Sequence, residues 1–212
     1  SGGVDSSVAA FLLQKEGYDV TGVYMKNWTE DVAGVTNCPW REEIDDAKAV
    51  CDKLGIPFLV WSFEKEYGER VVDYFFAEYK LGRTPNPDVM CNREIKFGLF
   101  LERALKEGVD LIATGHYVRR SGEGVESLQL LAGVDGNKDQ SYFLWTLTQE
   151  QLSKSLFPVG EFTKPEIRDI AREAGLPTAG KKDSQGICFL GDVNVREFLE
   201  TRIFHLFHLL SL

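Results

Sequence analysis

The chain has 212 residues, 43% of them hydrophobic, enough for one large domain, or a domain and a half, with a real core. Its net charge of −9 argues against a broad basic face of the kind that grips nucleic acid, and leaves room only for a local one. Its 4 cysteines include no Cys-x-x-Cys pair and its histidines number 3, which argues against zinc; neither a signal peptide nor a bilayer-length apolar run is written in it, so a reducing, cytoplasmic setting is expected.

After "SGGVDSS", the run from Val4 to Lys15 has apolar residues at helical spacing and stops at Gly17. "YDVTGVYM" (18–25) reads as a buried strand. The acids between Glu30 and Asp52 read as a solvated loop and helix face. Within them, 41–55 predicts an amphipathic helix with Ile44, Ala47, Val50, Cys51 and Leu54 on its apolar stripe. "IPFLVWSF" (56–63) is a second strand, and 64–82 a helix weakly interrupted at Gly68. A Pro-rich loop leads to a helix over 92–108 and a strand over 109–115. This alternation predicts an α/β fold, a parallel sheet with helices on both faces. Beyond His116 an antiparallel pair around a Gly-rich turn is expected. "KDQSYFLWTL", "TQEQLSKSL" and "TKPEIRDIAREAG" read as helices, the last with Thr163 as N-cap and Gly175 past its end, and "SYFLWTL" reads as core. A soft boundary is placed near residue 150.

The opening glycines let the backbone turn sharply into a helix and aim N–H groups at an anion, with the Ser6 and Ser7 hydroxyls as further donors. The lysine of a Gly-x-x-x-x-Gly-Lys-Ser/Thr loop is missing, and Asp5 suits a magnesium ligand or a partner for loop amides. Asp88 lies three residues before Cys91, which is read at a helix start where amide dipoles favour a thiolate; the alternative is a small buried thiol. Asp88 would oppose that anion, so proton transfer is its expected use. Cys188 follows polar, Gly-punctuated sequence; Cys51 reads as core, and Cys38 sits in the acidic loop. His116 is read either as functional or as a strand-end histidine bonded to backbone. Lys138 is read as an anion contact or a solvated turn residue. His205 and His208 read as incidental, and no metal cluster is expected.

Serine–glycine–glycine–x–aspartate–serine resembles the PP-loop ATP pyrophosphatases. With "GVYMKNW", "TPNPDVMCNREIKFG", "ATGHY", "KDQSYFLWTL" and "DSQGICFLG" in order, residues 1–203 resemble the tRNA-specific 2-thiouridylases. The resemblance implies an adenine-nucleotide alpha-hydrolase-like fold, with a PP-loop domain over 1–150 and the start of a tRNA-binding region over 151–203. It implies a strand before residue 1 and β-rich domains after the chain; 204–212 looks like an atypical apolar tail.

The resemblance also implies roles. Ser1, Gly2, Gly3, Val4, Asp5, Ser6, Ser7, Met25 and Gly115 would hold ATP, with magnesium near Asp5. Asn86, Pro87 and Asp88 would contact the target base; His116, Lys138, Asp139 and Gln140 would contact tRNA. Cys188 would carry a persulfide, Cys91 would be the second catalytic thiol, and the two would form a disulfide in turnover. The reaction implied is adenylation of the wobble uridine at O2, then sulfur transfer, by persulfide attack or through released hydrogen sulfide. Expected partners are tRNA and a persulfide sulfur-donor protein, with the chain a monomer and no membrane. The alternatives are another PP-loop adenylating synthetase, or an inactive nucleotide-binding fragment.

Overall fold

The computed structural model describes residues 2–29, 40–183, 196 and 199. Helix α1 (Val4–Lys15) starts directly behind Gly3, and Val4, Val8 and Leu13 turn one face inward. Its positive-φ stop is Gly17, at φ +90°. Strand β1 (Gly22–Lys26) and β2 (Phe58–Ser62) pair in parallel, Gly22 opposite Phe58 and Lys26 opposite Ser62. Between them α2 (Trp40–Leu54) buries Val50 and Cys51, with Ile44, Ala47 and Leu54 half-buried along the expected stripe. A crossover helix between parallel strands is what the β-α-β spacing requires.

The next helical stretch is α3 (Glu64–Tyr67), a π-helical turn (Gly68–Val72) and α4 (Asp73–Lys80). Gly68 therefore marks a change of helical pitch rather than a break. The following stretch begins earlier than the sequence suggests. It opens with α5 (Pro87–Met90), passes through a π-helical segment (Cys91–Phe100) and ends in α6 (Leu101–Lys106). The two stretches share the larger core, where Tyr67, Val71, Phe75, Ile95, Phe97 and Leu144 are among the most buried side chains.

Strand β3 (Ile112–Ala113) is shorter than expected and pairs in parallel with β6 (Ser155–Leu156). The antiparallel pair is present as β4 (Val118–Ser121) and β5 (Gln129–Ala132), with Gly122 and Gly124 at positive φ in its turn. Two readings are corrected here. "KDQSYFLWTL" forms one 3₁₀ turn (Ser141–Leu144), because Asp139 accepts bonds from the Ser141 N–H and hydroxyl and so competes with helix. Only Leu144 of that segment is buried; Tyr142 and Trp145 are 67% and 70% exposed. "TQEQLSKSL" is helical only through α7 (Gln149–Ser153), then joins β3 as β6.

Helix α8 (Lys164–Glu173) has the expected Thr163 cap, reciprocated by Glu166, and Gly175 beyond its end at φ +62°. Its Ile167 and Ala171 pack with Val4, Val8 and Ala9 of α1 and with Tyr117 in a second core cluster. Residues from before and after position 150 thus enter both core clusters, and α8 lies beside the opening loop.

Candidate functional site

The opening loop is held by close packing. A Cβ on Gly2 would lie 2.5 Å from the Glu43 carbonyl oxygen, and one on Gly115 would lie 2.7 Å from Ser6 N and 2.8 Å from the Asp5 carbonyl carbon. Both glycines therefore permit a backbone approach that a larger residue would block. Gly3 is the N-cap of α1 and lends it no side-chain oxygen, so the first-turn amides have no side-chain cap. The Ser6 and Ser7 hydroxyls are turned back onto Gly3 O, at 3.2 and 2.7 Å. Ser7, 4% exposed, also accepts a bond from Thr178 at 3.0 Å. The hydroxyls expected as further donors are thus engaged within the helix itself. Ser1 lies outside the described residues.

Asp5 anchors a charged cluster. Its Oδ1 accepts from the Tyr117 hydroxyl at 2.8 Å and from Lys164 Nζ at 2.6 Å. Lys164 Nζ also lies 2.9 Å from Asp183, which is bonded in turn to Lys138 and Arg168, each at 2.7 Å. Burial pushes the Asp183 carboxyl up, but the bonds and charges of Lys138 and Lys164 outweigh it and leave the group lowered to about 2. Burial, then the charge of Asp5, drives the Tyr117 phenol far upward, so it stays a neutral donor.

The helix that carries Asp88 and Cys91 is capped by Asn86. Its Oδ1 accepts from the N–H groups of Asp88 and Val89, both at 3.1 Å, and Pro87 occupies the first turn. Cys91 is 1% exposed and donates its own N–H inside the helix. It is therefore a full turn past the helix start, not at it. The dipole argument for its thiolate is corrected accordingly: the free first-turn donors serve Asn86, and the field falls off within that turn. Cys188, and with it the expected Cys91–Cys188 disulfide, lies outside the described residues, as do Cys38 and the tail 204–212.

Other expected site residues are internally bonded. Gln140 exchanges two bonds with the Tyr117 backbone, its Oε1 accepting at 3.0 Å and its N–H donating at 3.2 Å. Asp139 accepts from Gly133 N at 3.2 Å as well as from Ser141. His116, 8% exposed, has Nδ1 2.7 Å from Thr114 Oγ1. Burial, and secondarily Lys96, holds its pKa well below 6.5, so the ring is neutral. Met25 is half-buried against the larger core, opposite Trp61.

These bonds form one path: from Asp5 to Tyr117, to Gln140, through Phe143 N on Gln140 O at 3.0 Å, and through Phe143 O to Asn92 Nδ2 at 3.2 Å. Asn92 is the neighbour of Cys91. The glycine loop and the cysteine helix are thereby tied through the "KDQSYF" turn.

The family described as "tRNA methyl transferase HUP domain" matches residues 1–192. The chain belongs to that HUP-domain family. It is 58% identical to the "tRNA-specific 2-thiouridylase MnmA" of Flavobacterium johnsoniae over 207 residues, 96% of this chain and 52% of that protein. It is 59% identical to the protein of the same name from Shigella dysenteriae over 200 residues, 94% of this chain and 54% of that protein. The chain spans about half the length of the curated relatives it matches.

Within this HUP domain, sequence reading missed Tyr117, Lys164, Arg168 and Asp183. Lys164 had one signal: a lysine at the first position of α8 opposes the helix dipole and needs an anion nearby. Among the described residues no group of three or more His, Cys, Asp or Glu is placed to hold a metal, and no helix is long and apolar enough to cross a membrane.

Proposed function

We propose that this chain supplies the adenylating and thiol-bearing part of a tRNA 2-thiouridylase acting at the wobble uridine. The observation that supports it most is the bonded path from Asp5 to Asn92, which joins a nucleotide loop to the helix bearing Asp88 and Cys91. The residues present fit ATP: a helix start with no side-chain cap behind two glycines, with Gly115 packed closely on the loop backbone at Asp5 and Ser6. Asp5 is the residue on which a magnesium ion would be held, in exchange for Lys164.

In this reading the uridine O2 attacks the α-phosphorus of ATP and pyrophosphate leaves. The terminal sulfur of a Cys188 persulfide then attacks C2, and AMP departs with the oxygen. Thiolate attack by Cys91 on the Cys188 sulfur breaks the S–S bond, releases the 2-thiouridine and leaves a Cys91–Cys188 disulfide, which a cellular dithiol reduces. Asp88, at the second position of α5, is the acid–base partner on the same face of the chain as Cys91. The base must leave its stack to reach such a buried thiol. Because Asn86 caps α5 and Asp139 and Gln140 shape the turn, their part in tRNA contact is through the backbone and helix they position. The protein acts as a cytoplasmic monomer with tRNA and a persulfide donor protein as partners.

The test is mass spectrometry of tRNA nucleosides in a host lacking 2-thiouridine that expresses the full reading frame containing this chain. Wild type restores 2-thiouridine, and Cys91→Ser and Cys188→Ser do not. Restoration by either variant overturns the two-thiol route, and failure of the wild type to restore 2-thiouridine overturns the thiouridylase reading and favours another adenylating synthetase.

A further inference from the structure

The opening loop has no lysine, yet departure of pyrophosphate from ATP builds up negative charge that needs fixed cations. Lys164 comes from the other end of the described chain and places Nζ 2.6 Å from Asp5, inside that loop, and 2.9 Å from Asp183. Its side chain is only 10% exposed, and its backbone N–H is fixed on Asp135 at 2.9 Å. It stands at the positive end of α8, where a lysine weakens the helix unless an anion compensates. The cations Lys138, Lys164 and Arg168 are gathered on the carboxylates of Asp5 and Asp183, beside the start of α1, with Asp135 holding the Lys164 backbone. Asp183 sits among these cations as a phosphate would.

We propose that Lys164 is the phosphate-binding lysine of the nucleotide site, taking the β- and γ-phosphates of ATP and the pyrophosphate they become, and that Asp183 is the internal anion that holds it in place beforehand. This rests on the ATP-dependent reading above. It assigns to α8 the charge that the loop motif lacks. Because AMP has no β- or γ-phosphate, the role separates cleanly from adenine or ribose recognition.

The experiment measures ATP and AMP dissociation constants by equilibrium dialysis, with magnesium, on the full-length protein and on Lys164→Met, Lys164→Arg and Asp183→Asn. Lys164→Met weakens ATP by about 10-fold or more, the size of a lost charged hydrogen bond, and AMP by less than about 2-fold. Lys164→Arg keeps most of the ATP affinity. Asp183→Asn, which removes one of the lysine's two carboxylate partners and leaves Asp5, tightens ATP several-fold and leaves AMP unchanged; a strut between two carboxylates has no reason to do so. This variant decides the matter if Lys164→Met does not fold. Equal loss of ATP and AMP in Lys164→Met, or no tightening in Asp183→Asn, overturns the proposal. Unchanged ATP binding with weakened tRNA binding in Lys164→Met also overturns it, and assigns the lysine to the RNA backbone. Failure of the wild type to bind ATP removes the underlying reading as well.

Discussion

Tyr117 donates its phenolic hydrogen to Asp5 Oδ1 at 2.8 Å across 112 residues of sequence. The ring is 2% exposed and belongs to the core shared by α1 and α8, so its hydroxyl is the polar tip of an otherwise apolar contact. Tyr117→Phe keeps the ring and removes only this bond, leaving Asp5 its Lys164 partner. A loss of about 1–2 kcal/mol in denaturant unfolding is expected. Burial and the Asp5 charge keep the phenol protonated, so an alkaline absorbance titration of the folded wild type shows one more slow, unfolding-linked tyrosine than Tyr117→Phe does. Identical titration curves for the two proteins refute the contact.

Gly115→Ala tests the close packing of Gly115 on the opening loop. The new methyl would meet Ser6 N at 2.7 Å and the Asp5 carbonyl carbon at 2.8 Å, and both are backbone atoms that cannot rotate away. The start of α1 must shift, costing about 1–3 kcal/mol as overpacking does. ATP affinity falls with it, because the same amides are displaced. A variant with unchanged melting and unchanged ATP binding places Gly115 away from the loop.

The parts of this site legible in sequence were those written locally. Gly2, Gly3 and the helix behind them form a continuous stretch whose turn chemistry is its own signal, and Thr163 and Glu166 announce the start of α8 in the same way. The start of α5 was equally local but was misplaced. Asn86 before Pro87 is a strong cap signal, and reading "RTPNPDVMC" as a Pro-rich loop put the helix start at Cys91. What sequence spacing did not carry was the charge cluster. Asp5, Lys138, Lys164 and Asp183 meet only because α8 packs on α1 and the "KDQ" turn returns to Tyr117. Tyr142 and Trp145 misled in the opposite direction: their aromatic character suggested core, while the turn set by Asp139 points them outward.

Asn86 offers a way to separate capping from base recognition. Asn86→Asp keeps a side-chain oxygen for the Asp88 and Val89 amides and adds charge favourable to a helix start. Stability is expected to hold within about 0.5 kcal/mol, whereas Asn86→Ala loses about 1 kcal/mol. If capping is the whole role, Asn86→Asp retains 2-thiouridine formation and Asn86→Ala reduces it through the displaced Cys91 helix. Loss of thiolation in Asn86→Asp at full stability shows that the amide also reads the substrate.

His116 predicts a pH dependence of stability. Its ring is buried and bonded to Thr114, and burial, then Lys96, holds its folded pKa well below 6.5. The unfolded chain takes up a proton at this residue as pH falls through about 6.5, and the folded chain does not. The contribution is therefore fully present above pH 6.5 and declines below it, by up to about 1.4 kcal/mol per pH unit, until the folded pKa is reached. His116→Gln has no such proton to take up. Urea unfolding of both proteins from pH 7.5 to 5 should show the wild type losing stability faster, the gap opening near pH 6.5. Parallel curves would mean that His116 titrates in the folded protein as it does in water, and hence that its ring is open to solvent.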